Sequence, residues 1–264
     1  MTRLVPIREI AHLRLALPSD DRWVREVDWI PVSPTEIHLA CRYYPMAVRF
    51  EGPKPSLGLI VDQRYIMHPL LNSAGAWWGA YRPIALRCFP FAAPHIGDDP
   101  LEDIVIDADS KYLSETIGIP IVDDAGRLVN ELHRLFRLLQ RGQESFAGAL
   151  DQYLIGNLLV PLGNTDQPLY VLDSARFLHL EHAALGAMAR HGFLSVDLAV
   201  ACLFSLQNLR PDYRPKGDRR PRRSMPAPSI VPDMLAMDDL PLVLDDSELI
   251  SLWDIDALRA EGQP

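Results

Sequence analysis

The sequence predicts an α+β protein in which an antiparallel, β-rich N-terminal half packs against C-terminal helices and is followed by a flexible tail. Up to about residue 122, short runs of β-branched and aromatic residues alternate with turn residues. From Leu128 the apolar residues recur with a helical period, and from Pro211 charged residues and prolines dominate. We therefore divide the chain into an α+β domain at 1–210, a basic proline-rich linker at 211–228 and an acidic tail at 229–264.

The predicted strands lie in the first half of the chain. Ile37–Phe50 is rich in strand-forming residues, and Pro45 near its middle indicates a break, a bulge or an edge position. The turn residues Glu51–Ser56 separate it from Leu57–Val61, which we expect to form the second arm of a hairpin. Ile104–Ile106 predicts a further short, buried strand.

The second half is predicted to be mainly helical. Its elements, in chain order, are a helix from about Leu128, a second helix over Gln143–Leu154, a hairpin of Leu158–Leu162 and Leu169–Leu172, a helix over Phe177–Met188 and a last helix over Ser195–Leu209. The last helix is apolar on most of its faces. A helix of that kind is normally buried in a core, so we expect it at the centre of the domain.

The tail changes character twice. Residues 211–228 hold six basic and two acidic residues and five prolines, a composition that does not support a packed element. Residues 229–264 hold nine acidic residues and one arginine, with apolar clusters between them. Within them, Ser247–Leu258 can form one amphipathic helix that contains Trp253. This pattern is typical of a segment that folds on a partner, and the alternative is a solubilising tail.

Composition restricts the classes of function. The net charge of −9 argues against general nucleic-acid binding, which needs a basic surface. The three cysteines, Cys41, Cys88 and Cys202, form no CxxC pair, so we expect buried thiols rather than a zinc or disulfide framework. We find no signal-peptide pattern and no apolar run long enough to span a membrane, and we expect a cytoplasmic protein. No cofactor motif is present.

Four stretches of the chain resemble the bacterial SapC family. They are IPVSPTEIHLACRYYPMAVRF with its Tyr44-Pro45 step, LGLIVDQ with the block WGAYRPIALRCFPF at Trp78–Phe91, IDADSKYLSETIGIPIVDDAG, and the segment from LYVLDSARF to SLQNL. The resemblance covers about residues 4–210. The chain departs from the family at Cys88, where a basic residue is usual, and at Cys202, where a histidine is common.

The resemblance implies a role but no mechanism. The family takes its name from a surface-layer gene cluster, and its members often lie beside genes for halogenase-like enzymes and outer-membrane receptors. These neighbours imply an accessory role. The sequence has no catalytic motif, but it has an aromatic and arginine-rich block and a tail suited to folding on a partner, so we predict a non-enzymatic accessory or protein- or peptide-binding protein. Its partner would be a protein or peptide, such as a modifying enzyme encoded nearby. Self-association is a further possibility.

An aromatic and arginine-rich block is the best predicted binding surface. It comprises Trp77, Trp78, Tyr81, Arg82, Arg87, Phe89 and Phe91. Tryptophan, tyrosine and arginine dominate the energetics of interfaces. We add Trp253 of the tail as a second candidate. The alternative is that these aromatic residues only cover the β core. The part of the block between Pro83 and Pro90 predicts a short helix beginning at Pro83, or a strand.

A group of carboxylates supports an alternative function. Asp103, Asp107 and Asp109 form the densest acidic group in the predicted domain, and Asp107 and Asp109 would share one face of a strand. With a histidine, such a group can bind a divalent metal in an enzyme of unfamiliar type. The simpler interpretation is a solvated strand end or helix cap, because no EF-hand pattern follows.

Overall fold

The computed structural model describes residues 3–16, 18–52, 54–79, 81–163, 168–189 and 194–215. Its strands are β1 (Leu4–Pro6), β2 (Arg14–Leu15), β3 (Trp29–Pro31), β4 (Met46–Glu51), β5 (Lys54–Ile60), β6 (Val105–Asp107), β7 (Leu113–Ser114), β8 (Ile119–Pro120), β9 (Leu159–Leu162) and β10 (Leu169–Leu172). Its helices are α1 (Ile37–Ala40), α2 (Ile84–Arg87), α3 (Pro100–Asp103), α4 (Arg127–Ile155), α5 (Ser174–Leu178), α6 (His182–Ala189) and α7 (Leu194–Ser205). The predicted α+β class, β-rich first and helical afterwards, is confirmed.

A five-stranded antiparallel sheet with the order β3-β5-β4-β10-β9 forms the main layer. The predicted hairpin is present as β4–β5, and Gly52 in its turn has a φ of 66°, which glycine adopts without steric cost. The predicted β9–β10 hairpin is also present, and it joins the early strands through the pair Tyr170–Val48. Two smaller sheets, β7-β2-β8 and β1-β6, complete the β structure of the described residues.

The region predicted as a strand from Ile37 contains a helix in its first half. Pro34 begins a 3-10 turn that leads into α1, and the strand starts only at Met46. A capping box explains this start, because the Glu36 side chain accepts a hydrogen bond from the Ser33 amide at 2.9 Å. The strand prediction is therefore wrong for Ile37–Ala40 and confirmed for Met46–Phe50.

The two helices predicted from Leu128 and over Gln143–Leu154 are one helix, α4. Gly142, which lies between the two predicted helices, allows a close approach to the N-terminal part of the chain. A Cβ at this position would lie 2.7 Å from the Pro34 Cδ and 3.2 Å from the Val32 carbonyl oxygen. Gln143 uses this proximity, since its side-chain amide donates to the Leu57 carbonyl at 2.9 Å and accepts from the Leu57 amide at 3.0 Å. The helix is thus fixed to the sheet at its middle.

The predicted helix over Phe177–Met188 is divided into α5 and α6. Asp173 caps α5 by accepting from the Ala175 amide at 2.9 Å. The helix ends at His179, whose ring nitrogen and backbone amide both contact the Ala175 carbonyl oxygen. The chain therefore turns before α6 begins at His182.

Helix α7 packs against strands β4 and β10 but is only partly buried. Leu198, Ala199 and Cys202 are fully covered, whereas Val200 and Phe204 are exposed. The expectation of a helix buried on all sides is therefore wrong, because the described residues pack against one side of it. After α7, Pro211–Tyr213 form a short 3-10 turn, and the Arg214 guanidinium donates to the Gln207 carbonyl at 2.7 Å. Most of the predicted linker, the predicted tail and its amphipathic helix lie outside the described residues.

Candidate functional site

The aromatic–arginine block lies around helix α2, which begins after Pro83 as the helical alternative predicted. Its seven members differ sharply in exposure. Trp78 exposes 69% of its surface, and Phe91 only 7%. The other five, Trp77, Tyr81, Arg82, Arg87 and Phe89, are half-buried. Most of the block is therefore part of the domain, and Trp78 is the member that presents its ring to solvent.

Asp21 holds the centre of the block together. Its carboxylate forms an ion pair with Arg82, and both side chains are 16% exposed. The same carboxylate accepts a hydrogen bond from the Trp77 amide at 2.8 Å. The Arg82 guanidinium lies over the Trp77 ring, 5.1 Å from its centroid, which is a favourable cation–π geometry. Three segments of the chain are thereby fixed at one point.

Glu36 is the buried carboxylate of the block, and the sequence analysis missed it. It is 3% exposed. One oxygen accepts from the Tyr81 hydroxyl at 2.6 Å and the Ile84 amide at 3.0 Å, and the other accepts from the Ser33 amide. Burial raises the pKa of Glu36, and the hydrogen bonds from Tyr81, Ile84 and Ser33 lower it in part. The signal that could have found it is the Ser-x-x-Glu capping pattern.

Two further groups surround the Glu36–Tyr81 pair. The Tyr44 hydroxyl donates to the Tyr81 carbonyl at 2.5 Å. Arg87 lies over the Tyr81 ring at 5.6 Å and donates from Nε to the Arg82 carbonyl at 2.9 Å. Burial raises the pKa of both tyrosine hydroxyls, so they remain protonated donors at neutral pH. The arrangement is a satisfied polar network inside the domain.

The two phenylalanines of the block have structural surroundings. Phe89 stacks on Trp23 with ring centroids 3.6 Å apart, and Tyr112 meets it edge-on at 5.3 Å. Phe91 is buried in the core. These contacts match the alternative in which the aromatic residues cover the β core, so a binding role for the block depends on Trp78.

A groove lies next to the segment whose backbone pairs with Trp78. Its volume is about 530 Å³, and its walls are formed by Arg25, Asp28, Asp62, Gln63, Arg64, Pro69 and Leu71. The Trp78 amide donates to the Leu70 carbonyl at 2.8 Å, so the exposed indole belongs to the backbone that supplies Pro69 and Leu71. The groove presents two arginines and two aspartates, with Arg64 held by Asp62 at 2.7 Å.

The predicted carboxylate group is dispersed. Asp103 ends helix α3 and lies 3.3 Å from the Nε2 atom of His133 on α4, a partner the sequence analysis did not select. Strand β6 ends at Asp107, whose carboxylate accepts from the Asp109 amide at 3.2 Å, so these two residues do not alternate along a strand. In the part of the chain that the structure describes, no three His, Cys, Asp or Glu side chains are arranged to hold a metal ion.

The Asp103–His133 pair borders a shallow basic cavity of about 310 Å³. Besides His133 it is lined by Asn130, Arg134, Arg137, Leu138 and Arg141, all on α4. Arg134 is paired with Glu131 at 2.7 Å and Arg137 with Asp98 at 3.1 Å. The remaining predicted site residue, Trp253, lies outside the described residues.

Comparison with known proteins gives one finding. The SapC family model matches residues 8–211 of this chain, a span that includes the aromatic–arginine block, the groove and helix α7. No curated protein and no solved structure matches significantly. Among the described helices, none is by itself long and apolar enough to cross a membrane, and α6 with the helix beginning at Leu194 reaches that composition only as a bent pair. The match covers more than half of the sequence, and the chain belongs to the SapC family.

Proposed function

We propose that this SapC-family protein is a non-enzymatic accessory protein that binds a protein or peptide partner in the cytoplasm. The observation that carries the proposal is Trp78, a tryptophan with 69% of its surface exposed beside a mixed-charge groove. Large exposed aromatic side chains are uncommon on monomer surfaces and are typical of interface hot spots. The three unpaired, buried cysteines support the compartment, because thiols persist unpaired in a reducing environment.

The backbone of Trp78 is held in place, which favours binding. Its neighbour Trp77 bridges to Leu71, and the Trp77 amide is fixed by Asp21. The Arg82 guanidinium covers the Trp77 ring. A site whose backbone is already ordered loses less conformational entropy on association, so more of the contact energy appears as affinity.

The groove supplies polar contacts for the proposed partner. Arg25 and Arg64 can bind carboxylates, and Asp28 and Asp62 can accept hydrogen bonds from amides or cationic side chains. Pro69 and Leu71 form an apolar part of the groove wall. An extended peptide that places an apolar side chain on Trp78 and both charge types in the groove fits this surface. Its recognition would combine an aromatic anchor with orienting charges.

Selection of peptides on the full-length protein tests the proposal. We expect selected peptides to bind the wild-type chain, and Trp78→Ala to weaken their affinity at least about tenfold, as truncation of an interface tryptophan does. Ile117→Ala is the matched control, because Ile117 is also 69% exposed but lies in the β7–β8 turn. Equal loss in both variants, unchanged affinity in Trp78→Ala, or the absence of selected binders would contradict the proposal.

The alternative is an enzyme, and the Asp103–His133 contact is the observation that favours it. A carboxylate orients an imidazole in many general bases, and the arginines beside His133 suit an anionic substrate. Metal analysis of the purified protein separates the two candidates. A stoichiometric metal that is lost in Asp103→Ala/His133→Ala would favour the enzyme and overturn the non-enzymatic proposal.

A further inference from the structure

Helix α7 is apolar on most of its faces, but the described residues cover only one side. Leu198 and Cys202 are at most 4% exposed. On the side facing away from them, Val200 is 56% and Phe204 45% exposed, and Leu194 at the first position of the helix is 42% exposed. An apolar helix is normally enclosed on all sides, so the outer face of α7 has the composition of an interface.

The exposed apolar face continues onto helix α1. The two helices contact each other, and the Asn208 side chain donates to the Cys41 carbonyl at 2.9 Å. Beside this anchor, Leu39 is 42% and Tyr43 40% exposed, and their spacing of four residues places them on one side of the helical turn. We call the surface formed by Leu194, Val200, Phe204, Leu39 and Tyr43 the α7 face.

The area of the α7 face matches one half of a protein dimer interface. With roughly 200 Å² for each fully exposed side chain of this size, the fractional exposures correspond to about 450 Å² of apolar surface. A standard interface buries about 800 Å² on each partner, and roughly 60% of that area is non-polar. We propose that the α7 face binds a second copy of this chain.

The charges on this surface are complementary in a two-fold arrangement. Asp197 is exposed on the outer side of α7, and Arg42 is exposed next to Tyr43. Neither forms an ion pair with another residue in the described ranges. When two α7 helices cross antiparallel between Val200 and Phe204, Asp197 of one helix lies opposite Gln207 of the other, next to Asn208, which anchors α1 and Arg42.

A parallel pairing and a lipid surface are both less favourable. Parallel α7 helices would bring the two Asp197 carboxylates together, which costs energy by repulsion of like charges. An anionic membrane would face Asp197 and a chain with a net charge of −9. The antiparallel pair of identical chains avoids both conflicts and buries the apolar residues.

Sedimentation equilibrium of the full-length protein tests the proposal. We expect a species of twice the 29.7 kDa chain mass at low micromolar concentration. Phe204→Asp should raise the dimer dissociation constant at least about 100-fold, because it places a carboxylate in the centre of the apolar face. Ile117→Asp introduces the same charge at an exposed apolar residue outside the face and should leave the dimer intact. A wild-type monomer at roughly 100 µM would overturn the proposal.

A charge-swap pair separates docking from folding. Asp197→Arg and Arg42→Asp should each weaken the dimer, and the double variant should recover most of the lost affinity, with circular dichroism confirming the fold of all three. Additive weakening in the double variant would overturn the antiparallel arrangement. Binding of a wild-type monomer to phosphatidylglycerol vesicles, abolished by Phe204→Asp, would overturn the second-copy assignment in favour of lipid.

Discussion

The Tyr81 hydroxyl donates a 2.6 Å hydrogen bond to the Glu36 carboxylate, and this contact joins segments that are 45 residues apart in the sequence. Glu36 also closes the capping box of the 3-10 turn that leads into α1, and it accepts a hydrogen bond from the Ile84 amide at the start of α2. A single buried side chain therefore sets the relative position of both short helices. The backbone that carries Trp78 follows from this arrangement, because Tyr81 lies three residues after it.

Replacement of Glu36 should be strongly destabilising. Glu36→Ala removes the acceptor of three hydrogen bonds and leaves the Ser33 and Ile84 amides and the Tyr81 hydroxyl buried without a partner. We expect the free energy of unfolding to fall by about 3–5 kcal/mol in urea denaturation at neutral pH. The control Glu115→Ala changes an exposed glutamate and should stay within about 0.5 kcal/mol of wild type. A similarly small effect for Glu36→Ala would contradict the central role of this carboxylate.

The stability conferred by Glu36 should depend on pH. Burial raises the pKa of Glu36 above its ordinary value of 4.5, so the folded state holds this proton more tightly than the unfolded state. The contribution of this proton to the free energy of unfolding is therefore fully present below pH 4.5. It is lost as the pH rises through the folded-state pKa of Glu36. Glu36→Gln does not titrate at this position. The unfolding free energy of wild type relative to this variant should therefore be greatest at the lowest pH at which both proteins are folded.

Urea titrations of both proteins at several pH values measure this difference. The difference in unfolding free energy between wild type and Glu36→Gln cancels the contribution of the other carboxylates, which are common to both chains. We expect the difference to shrink as the pH increases above 4.5. An advantage of wild type that grows with pH would show that the hydrogen bonds outweigh burial and that the pKa of Glu36 is lowered.

The contacts of this site between residues close in sequence can be predicted from the sequence, whereas the contacts between distant residues cannot. The Ser33–Glu36 capping pattern, the helix start at Pro83 and the β4–β5 hairpin all depend on residues close in sequence, so pattern analysis can find them. The ion pair between Asp21 and Arg82 spans 61 residues. No periodicity or spacing indicates which of many acidic residues meets Arg82, because that choice depends on the packed fold.

Two incorrect expectations have related physical causes. Two helices were predicted on either side of Gly142, whereas one helix continues through this glycine, whose missing side chain lets the helix approach Pro34. Helix α7 was expected to be fully buried because its composition is apolar, but composition does not specify what covers each face. In both cases the outcome depends on which distant chain segments pack against the helix, and the local residue pattern does not specify them.

The three thiols should resist alkylation in the native protein. Cys41, Cys88 and Cys202 are buried, and burial raises the pKa of each thiol, in the case of Cys202 to about 12. The reactive thiolate is therefore scarce at pH 8. We expect iodoacetamide to label none of them in native buffer and all three in urea, as measured by intact mass. Rapid native labelling would show that the region around the modified cysteine opens readily.

Two glycines of helix α4 give a matched test of packing between the helix and its neighbours. Gly148 has no atom within 4 Å of the position where a Cβ would lie, so Gly148→Ala should stabilise the protein by about 0.5–1 kcal/mol through helix propensity. At Gly142 the added methyl would lie 2.7 Å from the Pro34 Cδ and 3.3 Å from the Ser33 Cα. The clash should outweigh the same propensity gain and destabilise the protein by roughly 1–3 kcal/mol.

Thermal unfolding of the two alanine variants under identical conditions measures these opposite changes. The two substitutions are chemically identical and lie in one helix, so a difference between them reports the surroundings rather than the helix.

Displacement of Ser33 by the Gly142→Ala methyl would also disturb the capping box that holds Glu36. We therefore expect Gly142→Ala combined with Glu36→Ala to destabilise the protein by less than the sum of the two single changes, because neighbouring sites couple. Strict additivity would show that α4 and the Glu36 network act independently.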